Sequence, residues 1–72
     1  MILTFTDAHS RVESPTPVFI ESEFIVTFQP SDENSPGGTI IDLPNGMRRY
    51  VNETPEEVFR AIEGTYPKAV MP

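Results

Sequence analysis

The 72-residue sequence predicts an α+β fold, with a small, mostly antiparallel sheet of four to five strands and one C-terminal helix packed on it. Three observations predict this class. Apolar and polar residues alternate in several short runs, which is the pattern of half-buried strands. An Asn-Gly pair separates two such runs, and a helix-capping sequence precedes an apolar stripe with helical spacing. We expect a single domain over residues 1–66 and a flexible tail over residues 67–72.

The first two strands are expected near the N-terminus. Met1–Thr6 alternates in polarity, so a half-buried strand is predicted there. Residues 7–10 are typical of a turn, because Asp and Ser side chains bond their own backbone. Pro15 and Pro17 lack a backbone N–H, so they favour an edge or an irregular lead-in to the short apolar run Val18–Ile20.

The strongest strand signal lies over residues 24–29. Phe24, Val26 and Phe28 are predicted to share one face of this strand, and Pro30 is predicted to end it. The strand is apolar on both sides. One interpretation is that the helix covers one face, while a partner protein or a second copy of the chain covers the other. A homodimer is therefore an open alternative.

The loop expected over residues 30–38 has no apolar side chain and carries two acidic residues. This composition predicts a mobile, solvated loop. Asp32, Glu33 and Asn34 supply oxygen atoms of the kind that bind cations. They lack the ligand spacing and the fixed glycine of a calcium loop, so a solvated acidic loop is favoured over a cation site.

A β-hairpin is predicted where Thr39–Leu43 and Met47–Val51 flank Pro44-Asn45-Gly46. Asn-Gly between two alternating runs is a strong hairpin signal, because Gly and Asn tolerate positive φ. Pro44 suits a type I turn with Gly46 in a bulge about as well as it suits a two-residue primed turn. Both turns remain open at this stage.

A helix is predicted to begin after Thr54. Thr54 can cap the helix, Pro55 fits its first position, and Glu57 completes a capping box. Gly64 is expected to end the helix. Its apolar stripe, Val58, Phe59 and Ile62, is expected to dock on the sheet. The predicted core is Leu3, Phe5, Phe19, Ile25, Ile41, Leu43, Val51, Val58, Phe59 and Ile62.

The composition restricts the classes of function. Eleven acidic and five basic residues give a net charge of −6, which disfavours direct binding to nucleic acid or to an anionic membrane. The chain has no cysteine, so neither disulfides nor thiolate metal sites are expected. No apolar run is long enough to span a membrane, and no signal-peptide pattern is present. A cytoplasmic protein without membrane insertion is expected.

The sequence offers little catalytic chemistry. His9 is the single histidine and lies in a predicted turn, where Asp7 is the one local companion for a metal. An exposed turn histidine is favoured over a ligand or a general base. No nucleophile–base pair, metal cluster or phosphate loop is recognisable. We therefore expect no enzyme activity, no catalytic or metal-binding residue and no cofactor.

The order of short motifs along the chain follows a known pattern. An Ile-Leu-Thr start, two hydrophobic stretches in the middle, a strand–Asn-Gly–strand unit, a capped helix and a closing Ile occur in turn. They lie at Ile2–Thr4, at Pro17–Ile20 and Ile25–Val26, at Thr39–Gly46, at Tyr50–Val58 and at Ile62. In this respect the chain resembles the FlbD/SwrD-type family of small flagellar proteins. The resemblance implies a bacterial, motor-associated or regulatory accessory protein without an enzymatic site, whose partner is another protein.

The candidate partner-binding residues form two sets. The first set, Phe24, Phe28, Arg48 and Tyr50, would make an apolar and basic patch. In it, Arg48 belongs either to a small basic spot with Arg49 and Arg60 or, as favoured, to charge balance with nearby acids. The second set is acidic: Glu21, Glu23, Asp32 and Glu33.

Each set supports a different function. The first set suits a non-catalytic, protein-binding accessory or regulatory module. The acidic set suits the alternative, a phage- or prophage-encoded inhibitor that binds a host nucleic-acid enzyme, such as RNA polymerase or a nuclease, by charge mimicry. Acidic residues that merely keep a small domain in solution are favoured over mimicry.

Overall fold

The computed structural model describes residues 1–64, so the tail predicted over residues 67–72 lies outside the described residues. Five strands and one α-helix follow one another along the chain. They are β1 (Ile2–Thr6), β2 (Pro17–Glu21), β3 (Thr27–Pro30), β4 (Thr39–Asp42), β5 (Arg48–Val51) and α1 (Pro55–Glu63). Two single 3-10 turns, Ser22–Phe24 and Pro44–Gly46, connect β2 to β3 and β4 to β5. The α+β class and the antiparallel pairing are confirmed.

The prediction of one continuous sheet is wrong. β1 and β2 form a two-stranded antiparallel sheet, and β3, β4 and β5 form a three-stranded antiparallel sheet in that order. A single bridge between Asp7 and Val51 joins the two sheets, beside a hydrogen bond from the Asn52 N–H to the Thr6 carbonyl. The chain turns at residues 7–10 directly after this point, so β1 and β5 cannot pair further.

The strand predicted over residues 24–29 is also wrong in its first half. The chain makes a 3-10 turn at Ser22–Phe24, and β3 begins only at Thr27. Ser22 is buried, and its carbonyl accepts a hydrogen bond from the Ile25 N–H at 3.3 Å, which closes this turn between the two sheets. Pro30 is the last residue of β3 rather than its stop, because β3 is an edge strand where a missing N–H is tolerated.

The β4–β5 hairpin is confirmed, and its turn has the primed backbone conformation, but with three residues rather than two between the paired Leu43 and Met47. Asn45 and Gly46 have φ values of 67° and 76°, and the Met47 N–H donates to the Pro44 carbonyl. Positive φ at both central residues is the geometry whose twist matches that of the flanking strands. This tight turn places Leu43 directly opposite Met47, where the Leu43 N–H donates to the Met47 carbonyl at 2.8 Å.

The capping box of α1 is confirmed. The Thr54 hydroxyl accepts from the Glu57 N–H at 3.1 Å, and the Glu57 carboxylate accepts from the Thr54 N–H at 2.9 Å. Val58 is fully buried, which fixes the helix against the rest of the domain. No helix within residues 1–64 has the length and apolar character needed to cross a membrane.

The core differs from the predicted one at two phenylalanines, and it includes Ile20 and Ile40, which were not predicted. Phe19 is 65% exposed and Phe59 is 52% exposed, so both were wrongly assigned to the core. In β2, Ile20 pairs with Leu3 and Val18 pairs with Phe5, so the even-numbered residues face the core and Phe19 faces away. The buried cluster is Leu3, Phe5, Ile20, Ile41, Val51 and Val58, with Val18, Ile25, Phe28, Leu43, Ala61 and Ile62 packed against it.

Residues 30–38 fold back against the end of β5. The Gly38 N–H donates to the Val51 carbonyl at 2.8 Å, and the Ser31 N–H donates to the Gly38 carbonyl at 3.1 Å. Gly37 has a φ of 80°, and a Cβ atom there would meet the Val51 carbonyl and the Ala8 side chain. The loop is therefore anchored at its glycine end, while its mobility stays a prediction.

Candidate protein-binding groove

An open groove with a volume of about 440 Å³ separates β2 from the tip of the β4–β5 hairpin. Its first wall contains Phe19, Ile20 and Glu21 of β2 and Phe24 of the following turn. Consecutive strand residues point to opposite faces of a sheet. Three consecutive residues of β2 line the groove, which is the pattern expected of a groove along the edge of that strand.

The second wall comes from the hairpin. Leu43, Pro44 and Asn45 line it before and within the turn, and Met47 and Arg49 line it afterwards. Met47 and Arg49 are two positions apart, so they project from the same side of the hairpin. The left-handed backbone of Asn45 reverses the chain within the turn and brings these residues to one rim.

The groove carries three large apolar side chains in contact with water. Phe19, Phe24 and Met47 are 65%, 59% and 55% exposed, and they come from two different sheets and a connecting turn. Single exposed apolar residues are ordinary on protein surfaces, but several around one concavity mark an interaction site. Covering this groove would remove all three side chains from water.

Arg49 supplies the positive charge of the groove. It has no ion pair within residues 1–64, whereas Arg48 lies 2.8 Å from Asp42 and Arg60 pairs with Glu56 one helical turn away. Adjacent residues of a strand point to opposite faces, and Arg48 and Arg49 of β5 follow this alternation. Arg48 lies across from Asp42 on β4, while Arg49 lines the groove. Arg49 is therefore available to an incoming carboxylate.

Glu21 is the acidic side chain of the groove, and its charge is already compensated. Its carboxylate accepts a hydrogen bond from the Met1 ammonium, and this contact lowers the pKa of Glu21 below its usual value. Hydrogen bonds from the Glu23 N–H and the Ser22 hydroxyl lower it further. The net charge of the groove wall near Glu21 is therefore less negative than the sequence implies.

The aromatic and basic residues predicted to bind a partner do not lie together. Phe24 is at the groove, but Phe28 is half-buried and packs against the core. Tyr50 is half-buried and makes an edge-to-face contact with His9, with ring centroids 5.8 Å apart. The charge of Asp42 raises the pKa of Arg48, together with a smaller contribution from Tyr50. Phe28, Arg48 and Tyr50 are therefore engaged within the domain.

The acidic residues divide between two ends of the molecule. Glu21 lies opposite Ile2 at the start of β1, and Glu23 follows it. Asp32 and Glu33 belong to the loop that packs beside Ala8 and Val51, beyond the other end of β1. They do not form one continuous row.

The histidine occupies the exposed turn that the sequence predicts for it. The His9 N–H donates to the Asp7 carboxylate at 2.9 Å, which stabilises the turn after β1. In the part of the chain that the structure describes, no three acidic or histidine side chains gather closely enough to hold a metal ion. Asp32 in the acidic loop accepts a hydrogen bond from the Asn34 N–H at 2.9 Å, as in a turn.

Three side chains of the groove are not among the predicted partner-binding residues. The sequence favours the core for Phe19 and charge balance with nearby acids for Arg49, and nothing in it singles out Met47. The alternation of Arg48 and Arg49 was a usable signal, since only one of them can face the acid on β4. No local signal identifies Phe19, because its neighbours in the run are apolar as well.

Comparisons with protein-family models, with curated proteins and with solved structures find no match to this chain. The flagellar resemblance therefore stays a prediction that depends on the order of motifs in the sequence.

Proposed function

We propose that this chain is a non-catalytic accessory or regulatory module that binds another protein through the groove between β2 and the β4–β5 hairpin. One observation carries the proposal: Phe19, Phe24 and Met47 surround a single concavity while remaining more than half exposed. The resemblance to FlbD/SwrD-type flagellar proteins, which implies a protein partner without enzymatic chemistry, agrees with this role.

The energetics of the groove favour a protein partner. Removing apolar side chains from water is the main favourable contribution to most protein–protein association. Aromatic residues and arginine dominate binding energies at the centres of protein interfaces, where water is excluded. Phe19, Phe24 and Arg49 are of these types and share one groove.

The chemistry of the groove gives no support to catalysis. Its polar side chains are Glu21, Asn45 and Arg49. Glu21 is held by the Met1 ammonium, which makes it a weaker base. Asn45 lies in the hairpin turn, and an arginine without a nucleophile serves in recognition rather than in reaction.

Charge mimicry of nucleic acid by the acidic residues has less support. A mimic needs negative charges repeated along one surface, as phosphates are along a strand. Glu21 and Glu23 lie at one end of β1, whereas Asp32 and Glu33 lie beyond the other. A phage inhibitor that acts by such mimicry is therefore a weaker proposal than a module that binds its partner through the apolar groove.

The test compares cross-linked partners of three tagged full-length proteins in cells of the encoding organism. The proteins are the wild type, Phe24→Asp in the groove, and Val12→Asp as a matched control. Val12 lies in the connection between β1 and β2 and is 96% exposed. We expect a partner that is retained by wild type and Val12→Asp and is lost by Phe24→Asp. The purified partner should then bind wild type and Val12→Asp with similar affinity and Phe24→Asp more weakly.

A partner retained equally by all three proteins would refute the groove as the binding site. The double variant Asp32→Asn/Glu33→Gln separates the two candidate functions. Loss of the partner with this variant, but not with Phe24→Asp, would favour charge mimicry instead.

A further inference from the structure

We propose that the partner enters the groove as an extended segment that adds a strand to the free edge of β2 and places a carboxylate against Arg49. This inference rests on the proposed function of the groove and specifies how the partner binds. It follows from three features: the hydrogen-bonding direction of β2, the course of the groove, and the charge opposite that edge.

The backbone of Phe19 points away from β1. Antiparallel pairs alternate between residues that bond across the pair and residues that bond outward. The Ser22 N–H donates to the Met1 carbonyl, and the Asp7 N–H donates to the Thr16 carbonyl, so the even-numbered residues of β2 bond inward. Phe19 therefore directs its N–H and carbonyl outward, and within residues 1–64 no strand pairs with this edge of β2.

This free edge faces the groove. Phe19, Ile20 and Glu21 all line it although their side chains alternate between the faces of β2, so we infer that the outward backbone groups contribute to the groove wall. A strand laid there gains main-chain hydrogen bonds from β2, and its alternate side chains meet Phe24 and the hairpin rim. Strand addition to an exposed edge is an established way of recognising peptides.

Arg49 determines the chemistry of the segment. It is the one basic side chain of the groove and has no ion pair within residues 1–64, so an acidic residue of the partner could form an ion pair with it. Arginine forms strong, charge-assisted hydrogen bonds with carboxylates. At physiological salt, charges beyond about 8 Å are largely screened, so a partner carboxylate in the groove responds mainly to the nearby Arg49.

A second copy of the chain is a poorer occupant than a different protein. Each copy carries a net charge of −6, so two copies repel each other.

The outward-facing backbone groups of β2 can form few hydrogen bonds, because the strand has five residues and begins with Pro17, which has no N–H. The segment therefore needs the apolar side chains and the carboxylate in addition to its main chain.

The test uses fluorescein-labelled nonapeptides that alternate valine and threonine and carry one aspartate at each position in turn. A matched set carries asparagine instead. Fluorescence anisotropy measures their binding to the full-length protein. We expect saturable binding of aspartate peptides and about tenfold weaker binding of the asparagine set, since a charge-assisted bond is lost. Arg49→Gln should remove this preference, whereas Arg60→Gln, on the exposed face of α1, should preserve it.

A backbone variant tests strand addition itself. The chain is short enough for total chemical synthesis with an N-methyl group on Phe19, which removes the outward N–H and retains the side chain. We expect at least about a tenfold loss of peptide binding because the methyl group blocks the edge, with unchanged thermal unfolding. N-methylation of Val12 is the control and should leave binding intact.

Three results would overturn the inference. Aspartate peptides that fail to saturate the protein would exclude an acidic extended segment. Peptide binding unaffected by N-methylation of Phe19 would exclude strand addition. A wild-type dimer that N-methylation dissociates would assign the edge to a second copy. The proposed function is tested separately by Phe24→Asp in cells. If Phe24→Asp loses the partner while the N-methyl-Phe19 protein binds the peptides normally, the groove remains the binding site and strand addition is rejected.

Discussion

The carboxylate of Glu53 accepts two hydrogen bonds from Thr6, one from its backbone N–H at 2.9 Å and one from its hydroxyl at 3.0 Å. This contact joins the end of β1 to the connection between β5 and α1, where the sheets otherwise share one bridge. The Thr39 hydroxyl donates to the Glu53 carbonyl at 2.6 Å in the same place. Glu53 therefore holds together three segments that are distant in sequence.

Replacing Glu53 should lower the stability of the domain. Glu53→Ala leaves the half-buried Thr6 groups without an acceptor, so we expect a loss of about 1–3 kcal/mol in the free energy of unfolding. Glu53→Gln keeps one acceptor oxygen and should cost less. Urea unfolding followed by circular dichroism measures both. Glu63→Ala, at the exposed end of α1, is the control, and an equal loss there would remove the special role of Glu53.

Phe19 and Ile20 should respond in opposite ways to truncation, although they are adjacent and both apolar. Ile20 is 4% exposed in the core, so Ile20→Ala should cost about 2–5 kcal/mol. Phe19→Ala should change the free energy of unfolding by no more than ~0.5 kcal/mol, as exposed sites generally do. Thermal or urea unfolding distinguishes them. A large loss for Phe19→Ala would mean that Phe19 belongs to the core after all.

Gly37 and Gly46 provide a matched pair for the anchored loop. Both have positive φ, so alanine costs about 1–2 kcal/mol in backbone strain at either position. At Gly46 no atom lies within 4 Å of an added Cβ, whereas at Gly37 the Cβ would overlap the Val51 carbonyl and the Ala8 side chain. Gly37→Ala should therefore be the more destabilising change in urea. Equal losses would show that residues 30–38 do not pack against β5.

The ion pair between Glu21 and the Met1 ammonium should make stability depend on acidic pH. The ammonium lowers the pKa of Glu21 in the folded state from its ordinary value of 4.5. The unfolded chain therefore binds the proton more readily, and the stabilisation is present above pH 4.5 and is lost as the pH falls through the folded-state pKa.

Glu21→Gln measures this contribution. As the pH falls from 4.5 through the folded-state pKa, the urea midpoints of Glu21→Gln and wild type should converge, and above pH 4.5 the wild type should be the more stable. Glu23→Gln serves as the control in the same turn. Midpoints that differ by the same amount from pH 3 to pH 7 would exclude this ion pair as the cause.

Features that depend on a few neighbouring residues were predictable. The capping box of Thr54 and Glu57 and the turn at Asn45-Gly46 are present because side-chain hydrogen bonds and positive φ act within four residues. Strand alternation in β1 likewise places Leu3 and Phe5 in the core. In these places local chemistry and the final fold agree.

Features that depend on distant pairing were not predictable. Val18-Phe19-Ile20 is apolar throughout, so only its register against β1 assigns Ile20 to the core and Phe19 to the groove. The corner at Ser22–Phe24 forms because the chain passes from one sheet to the other. The polar residues Glu21-Ser22-Glu23 interrupt the apolar pattern there, but neither Gly nor Pro shows that the next strand begins only at Thr27. The groove itself requires β2 and the hairpin to meet, which no single stretch of sequence encodes.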